Sequence, residues 1–435
     1  MMNKNLLSLL LVSTITLGAN AQSRLSLPDA IATALKNSYN IQLAKNNVDA
    51  ATINNDIAIA GGMPIVTAQA TDNEQVTSIN QKFPDPSRDV KRNGVAANNL
   101  SASVTGSILL YNGMRVKATK KRLEELQGQQ VALLNAQIQN TLASVITRYY
   151  DVVRQQNFLK TIFQSIEVAK KRIDILQSRK EVGMANNADL FQAQLDLNAL
   201  IQSQQTQQLI IDQGKSDLLN LIFARPDSLI TIQDTIIVDP TITFDQVKSL
   251  LEKHPQIIAA DQQIKINELL EKEAAALRAP TLRATAGYSL SNTSSAAGFI
   301  LTNQSFGPTV GINLSVPIYN GSINKKQQQI ASINTRSAQV QKNNLLLATE
   351  TNAVKTYQLY KTSLTQLATA KTNYELSAQL LSLIMQKFEL GQATIVDVKI
   401  AQQSFENEAY RMVNLAYSAK IAEVELKRLA NLLQP

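Results

Sequence analysis

The chain has 435 residues, enough for two or three ordinary domains, with no cysteine, no tryptophan, one histidine and a formal net charge of +8. Without cysteine there is no disulfide scaffold, and the positive excess is scattered rather than gathered into a basic stripe with interleaved aromatics, so nucleic acid is not an expected partner. Few Tyr and Phe beside abundant Gln, Asn, Leu, Ala and Lys point to long helices rather than a compact enzyme core.

Residues 1–21 read as a secretory signal. Lys4 supplies the positive start, Leu6–Val12 the apolar run, and Ala19-Asn20-Ala21 a small-x-small cleavage site, with cleavage before Gln22. A membrane anchor is the weaker alternative because the apolar run is short. No cysteine follows the site to carry a lipid. No later segment offers about 18 consecutive apolar residues, so a membrane span would have to be built from strands in a closed barrel.

Leu27-Pro28-Asp29-Ala30 opens a helix predicted over 28–62, interrupted near Asn37–Asn40 and stopped by Gly61-Gly62. A hairpin is predicted over 64–111. Val66, Ala68 and Ala70 alternate with Thr67, Gln69 and Thr71. A polar loop holding Pro84, Asp85, Pro86, Asp89, Lys91 and Arg92 leads to a second strand from about Asn99 to Leu110. At Tyr111-Asn112-Gly113 the period changes from two to seven. Val131, Ile138, Val145, Val152, Leu159, Ile166 and Ile173 recur as a heptad seam, with Leu142, Tyr149 and Phe163 as companions. The helix predicted over 112–180 is roughly 100 Å long at 1.5 Å per residue. Glu181–Asn187 turns it, and a returning helix over 186–223 carries Asp189 in its first turn, where an acid suits the helix dipole. Arg225-Pro226-Asp227 breaks that helix, and the strand-like connector Ser228–Val238 runs to Pro240.

The plan then repeats, dividing the mature chain into 22–240 and 241–435. Helices are predicted over 244–279, 320–389 and 395–433, and a hairpin over 281–319. Pro280 follows Pro64 by 216 residues, whereas Tyr319-Asn320-Gly321 follows Tyr111-Asn112-Gly113 by 208, so the first hairpin loop is eight residues longer. At the same offset of 208, Leu390-Gly391-Gln392 follows Val182-Gly183-Met184, and Asp397 follows Asp189. The heptad series maps onto Gln339, Leu346, Ala353, Tyr360, Leu367, Tyr374 and Leu381. Such agreement is an internal duplication.

Two hairpins make four strands, too few to close a barrel that holds anything. Left open in lipid they would present unpaired edges, which is not tolerated. A joint barrel of several chains in an outer membrane meets both demands, since strands of about 10–12 residues cross a bilayer when tilted. The alternative is a soluble protein whose hairpins cap a helical stalk.

The twofold repeat, the strand exit Leu314–Gly321 with its looser copy Ser107–Gly113, and the tips Val182–Asp189 and Leu390–Asp397 resemble the TolC family of outer-membrane channel-tunnels. The resemblance covers essentially the whole mature chain. It implies a mainly α chain with a small β part: a homotrimer with a twelve-stranded β-barrel in outer-membrane lipid and a twelve-helix α-barrel in the periplasm. It further implies a passive exit duct of a tripartite efflux or type I secretion system, docked by its tips on a periplasmic adaptor and an inner-membrane transporter. The rival reading is a periplasmic coiled-coil scaffold without channel activity.

At the tips, Val182, Gly183 and Met184 with Leu390, Gly391 and Gln392 are helix turns, and the resemblance makes them adaptor contacts. Asp189 and Asp397 are either first-turn dipole partners or, in three copies each, carboxylate rings at the periplasmic constriction. Where relatives carry a second acid, a tyrosine and an arginine near the second tip, this chain has Ile400, Phe388 and Ala393, which puts a polar gate lock of that kind in question. Asn112 and Asn320 are expected helix caps, and Tyr111 and Tyr319 sit where a barrel rim forms. Arg115, Lys117, Lys325 and Lys326 just beyond either reach lipid headgroups or form a solvated face. His254 precedes Pro255 at a helix break and reads as a structural or surface residue. No nucleophile set, metal cluster or phosphate loop is legible, so neither catalysis nor a cofactor is expected.

Overall fold

The computed structural model describes residues 23–296 and 301–434; the expected signal segment 1–21 lies outside them. The chain divides into two compact units, and each draws on both sequence repeats. One comprises Asn40–Gln137 and Lys248–Asn352; the other takes in the described residues up to Tyr39, Ile138–Val247, and everything from Ala353 onward.

The first unit is built on one antiparallel sheet of four strands: β2 (Ile65–Gln81), β3 (Val90–Tyr111), β5 (Thr281–Ser295) and β6 (Thr302–Ser315), in the order β2-β3-β5-β6. Register decides its two faces. Val66, Gly106, Ala286 and Val310 lie across from one another, as do Ala68, Val104, Tyr288 and Pro308. One residue along, Thr67, Thr105, Gly287 and Thr309 form the opposite, polar face. Alternation in each strand therefore adds up to an apolar and a polar surface for the whole sheet. The strands run longer than expected, 17 and 22 residues for β2 and β3. The extra length lies beyond the apolar band, where Asn98 donates to Asp72 at 2.6 Å and to Glu74 at 2.9 Å. Polar cross-strand bonds continue the ladder there without any apolar alternation to announce it. Lys91 and Arg92, expected in the loop, are accordingly strand residues.

A bulge separates the pairs Leu109↔Arg283 and Tyr111↔Leu282, and so brings Tyr111 onto the apolar face with Ile108. The chain then enters the long helix α3 (Arg115–Glu181) through two successive left-handed residues, Gly113 at φ 67° and Met114 at φ 67°. The Arg115 N–H donates to the Asn112 carbonyl at 3.3 Å, closing a turn of the type I′ kind. The second repeat uses the same turn: Gly321 at φ 65°, Ser322 at φ 64°, and Ile323 N–H on the Asn320 carbonyl at 3.3 Å, leading into α7 (Ile323–Glu389). The Asn112 side chain also accepts from Val116 N–H at 3.3 Å, as a cap does.

Two helices come out shorter than their expected ranges. The helix expected over 28–62 is parted at Ser38, inside the expected interruption, into α1 (Leu27–Asn37) and α2 (Tyr39–Asn54), but α2 stops short of Gly61-Gly62. The Asp56 carboxylate accepts from Ala58 N–H at 2.6 Å and turns the chain before the glycines are reached. The predicted helix 244–279 is α5 (Phe244–Leu250), a short 3₁₀ turn and α6 (Pro255–Ala276). His254 sits extended before Pro255, as proline requires of its predecessor, and its Nδ1 accepts from Gln256 N–H at 3.3 Å as the cap of α6.

In the second unit α1, the lower part of α3, α4 (Asn187–Leu221) and α8 (Ile395–Leu429) close on a core that includes Ala30, Leu142, Val145, Tyr149, Leu218 and Val424. The heptad seam of α3 is buried at Val145, Val152 and Ile166, whereas Val131 and Phe163 remain exposed. Along α7, Ala353, Tyr360, Leu367 and Leu381 are buried, and so is a second series seven residues apart, Thr356, Ser363, Ala370 and Ser377. The connector holds the parallel bridge of β1 (Ser23–Arg24) with β4 (Ile230–Thr231). It is tied down at Asp239, whose N–H donates to buried Glu423 at 2.9 Å and whose carbonyl accepts from the Tyr360 hydroxyl. Lys420 and Lys427 neutralise Glu423 at 3.0 and 2.8 Å.

The two junction glycines are not equivalent. A Cβ at Gly113 would lie 2.4 Å from Ala279 Cβ and 3.1 Å from the Ala276 carbonyl, while one at Gly321 meets nothing within 4 Å. Gly321→Ala is expected to cost only the left-handed strain, about 1 kcal/mol. Gly113→Ala adds an overlap worth about 1–3 kcal/mol more. Thermal melts of the two variants should rank Gly113→Ala well below Gly321→Ala; equal melting temperatures would contradict the close approach.

Candidate functional site

The hairpin tips are where the two long helices reverse. At the first, Gly183 takes φ 75° and donates its N–H to the Lys180 carbonyl at 3.0 Å, while Met184 N–H reaches the Arg179 carbonyl at 2.8 Å. At the second, Gly391 takes φ 80° and donates to Phe388 at 3.1 Å, while Gln392 N–H reaches Lys387 at 2.8 Å. Both are Schellman caps, in which a left-handed residue lets two amides satisfy the last carbonyls of the helix. The turn leaves apolar side chains in solvent: Val182, Met184 and Leu390 are 69, 79 and 73% exposed.

The returning helices are capped differently. Asn186 accepts from Asp189 N–H at 2.8 Å. Thr394 and Asp397 form a reciprocal capping box: Thr394 Oγ1 accepts from Asp397 N–H at 3.2 Å, and the Asp397 carboxylate accepts from Thr394 N–H at 2.8 Å. The Thr394 amide, and after it the Thr394 hydroxyl, hold the Asp397 carboxyl below the usual carboxylate range, so it is charged at neutral pH.

Beneath the turns lies a cluster of buried apolar residues that includes Leu176, Leu190, Leu381, Phe388, Val398 and Phe405, drawn from all four helices of the two hairpins. Of two α3 cations beside it, one crosses to the second hairpin and the other pairs within the first. Arg179 donates to the Phe388 carbonyl, with its guanidinium 4.7 Å from the center of the Phe388 ring. Arg172, 1% exposed, pairs with Asp196 of α4 at 2.9 Å, and Lys399 of α8 pairs with the same carboxylate at 3.1 Å. Burial of Asp196 works against its charge. The hydrogen bonds from Lys399 and Gln192 and the charge of Arg172 outweigh that, leaving its pKa lowered. Phe388 thus makes its polar link through its backbone, to an arginine of the first repeat. The sequence reading missed Arg172, Arg179, Asp196 and Lys399. Its one available signal was the seven-residue interval between the two arginines, a heptad flank.

Because the folded-state pKa of Asp196 is depressed, the stabilisation it provides is full above the ordinary carboxylate value of about 3.9 and is lost as pH falls through the lowered one. Asp196→Asn leaves Arg172 buried without its counter-charge and should cost about 3 kcal/mol at pH 7. In circular-dichroism melts the gap between wild type and variant should narrow as pH drops below about 4; a gap independent of pH would mean that the carboxylate charge is not what the arginine needs.

The family model for outer membrane efflux proteins matches the chain twice, over residues 30–221 and 247–432. An uncharacterized protein of Haemophilus influenzae is 20% identical over 310 residues, which span 70% of this chain and 65% of that protein. Outer membrane protein TolC of Vibrio cholerae is 21% identical over 341 residues, 76% of each chain. Among solved structures, the outer membrane protein VceC of Vibrio cholerae superposes with a TM-score of 0.76 at 17% identity, covering 93% of this chain and 96% of its own. That likeness shows a shared fold, which in this chain is mostly helical with one small antiparallel sheet. With one family model falling once on each repeat and matching most of its length, the chain belongs to the outer membrane efflux protein family.

Proposed function

We propose that this chain is the passive outer-membrane exit duct of a tripartite efflux or secretion machine, working as a homotrimer. The observation that carries this is the sheet: one apolar face, one polar face, and two edges, β2 and β6, with no partner strand among the described residues. Among the described residues no helix is long and apolar enough to cross a membrane, so a span falls to these strands. The apolar face meets lipid, the polar face lines water, and each β6 edge pairs with the β2 edge of the next copy. Two copies would give eight strands, whose interior side chains fill the lumen; a third opens a passage.

In this reading the turns Val182-Gly183-Met184 and Leu390-Gly391-Gln392 dock on a periplasmic adaptor that joins the duct to an inner-membrane transporter. Their exposed apolar flanks and bare glycines suit end-to-end contact with another helical hairpin. Asp189 and Asp397 form acidic rings at the constriction, and the capping box keeps Asp397 ionised there. The leader at residues 1–21 delivers the chain across the inner membrane.

Native mass measurement in detergent should give a trimer, and planar bilayers should show discrete conductance steps; a stable monomer or dimer, or folded trimer without conductance, would overturn the duct. Gly183→Arg and Gly391→Arg should leave trimer level normal and abolish export, while export at wild-type rates from both would remove the docking assignment. Asp397→Asn should lower the cation preference of the closed channel without blocking docking. Protease added to intact cells should cut at the Phe83–Asp89 turn and spare the helices; the reverse pattern would invert the orientation.

A further inference from the structure

The junction after β3 holds a feature that neither the fold nor the duct requires. Residues 115–122 read Arg-Val-Lys-Ala-Thr-Lys-Lys-Arg, with Arg115, Lys117, Lys120, Lys121 and Arg122 in two turns of helix. Their counterparts 208 residues on are Ile323, Lys325, Gln328, Gln329 and Ile330, so the duplication supplies a version of the same joint with most of the charge removed. Both versions fold into the same turn and the same kind of helix. The charge is therefore not there to make the joint.

Two of these cations are engaged. Lys120 donates to Asn55, and Arg122 pairs with Glu273 at 2.7 Å. Lys117 and Lys121, together with Lys272 of α6, form no ion pair among the described residues. All three line one cleft of about 490 Å³ between α3 and α6, whose apolar lining includes Tyr111, Met114 and Leu269. A second cleft of about 450 Å³ shares Tyr111, Met114, Lys117 and Lys121 and continues onto Leu109 and Leu110 of the sheet. Tyr111 belongs to the apolar face because the bulge turned it there, so the clefts adjoin the surface assigned to lipid. No acidic residue occupies the first turn of α3, leaving the positive end of its dipole uncompensated as well.

We propose that this joint is a binding site for an anionic glycerophospholipid of the periplasmic leaflet, its phosphate held by Lys117, Lys121 and Lys272 and an acyl chain laid against Tyr111 and Met114. This rests on the reading that the apolar sheet face meets lipid. Three ammonium groups around an apolar floor complement a phosphate carrying a hydrocarbon tail, and lysine stems can cover the glycerol region while their heads reach the phosphate. The occupant fastens the chain at the membrane boundary.

The test uses the purified mature trimer in detergent, exposed to mixed micelles of phosphatidylglycerol and phosphatidylcholine, with retained lipid counted by native mass spectrometry. Wild type should retain phosphatidylglycerol in preference, and the triple variant Lys117→Gln/Lys121→Gln/Lys272→Gln should lose that preference by at least about tenfold. The second-repeat control Lys325→Gln/Lys326→Gln should keep it. Inorganic phosphate should not displace the lipid. No preference in wild type, equal retention by the triple variant, or displacement by phosphate alone would each overturn the site. Conductance of the same samples in pure phosphatidylcholine bilayers reports separately on the barrel. Channels that open normally while no lipid preference is found would sink this inference alone; no channels at all would sink the reading beneath it.

Discussion

The structure depends on the hydrogen-bonding appetite of two strand edges. Alternate residues along β2 and β6 turn N–H and C=O groups outward, and no strand among the described residues pairs with them. In water such edges are a nuisance; in hydrocarbon each open group costs several kcal/mol. A sheet that is apolar on one face from Val66 across to Val310 suits lipid, and in the proposed duct a sheet that meets lipid must close. The proposed self-association thus rests on backbone chemistry before any side chain at an interface is considered.

The second demand is conversion of period two into period seven within a few residues. The chain does this with a tight turn at Asn112–Arg115 and at Asn320–Ile323, in which two consecutive residues are left-handed. Glycine takes the first position both times. Met114 and Ser322 accept the second position despite its strain, which marks how strongly the surroundings determine the joint. Beyond it the helices need no special sequence, only a repeating stripe. On α7 that stripe includes Thr356, Ser363 and Ser377, small enough for close helix approach; the Ser377 hydroxyl, for one, is returned to the Tyr374 carbonyl at 2.8 Å.

Duplication has left the two halves alike in backbone and different in charge. The first repeat carries the basic joint at Arg115–Arg122, the buried pair Arg172–Asp196 within its own hairpin, and Arg179, which reaches over to the second hairpin. The second repeat supplies the Phe388 carbonyl, which accepts from Arg179, and Lys399, which shares the Asp196 carboxylate with Arg172. A fold that needs only one copy of each contact frees the other copy to change.

Read alone, the sequence determined what is periodic or local. The strand alternation, the heptads, Gly183 and Gly391 at their turns and Asp397 three residues inside a helix start are each decided by neighbours within a turn or two, and a duplication prints them twice. The helix over 28–62 was misjudged because Asp56 ends it through its own side chain, a stop as local as the glycines but less conspicuous. The polar ends of β2 and β3 escaped because their order comes from Asn98, Asp72 and Glu74 facing across strands, which leaves no apolar rhythm. Only the tertiary structure decided which residues separated by long stretches of chain would meet: Asp239 with Glu423, Arg172 with Asp196 and Lys399, Gly113 beneath Ala279. Those partners are chosen by how helices dock, and a single ion pair or close approach carries no period by which a linear reading can find it.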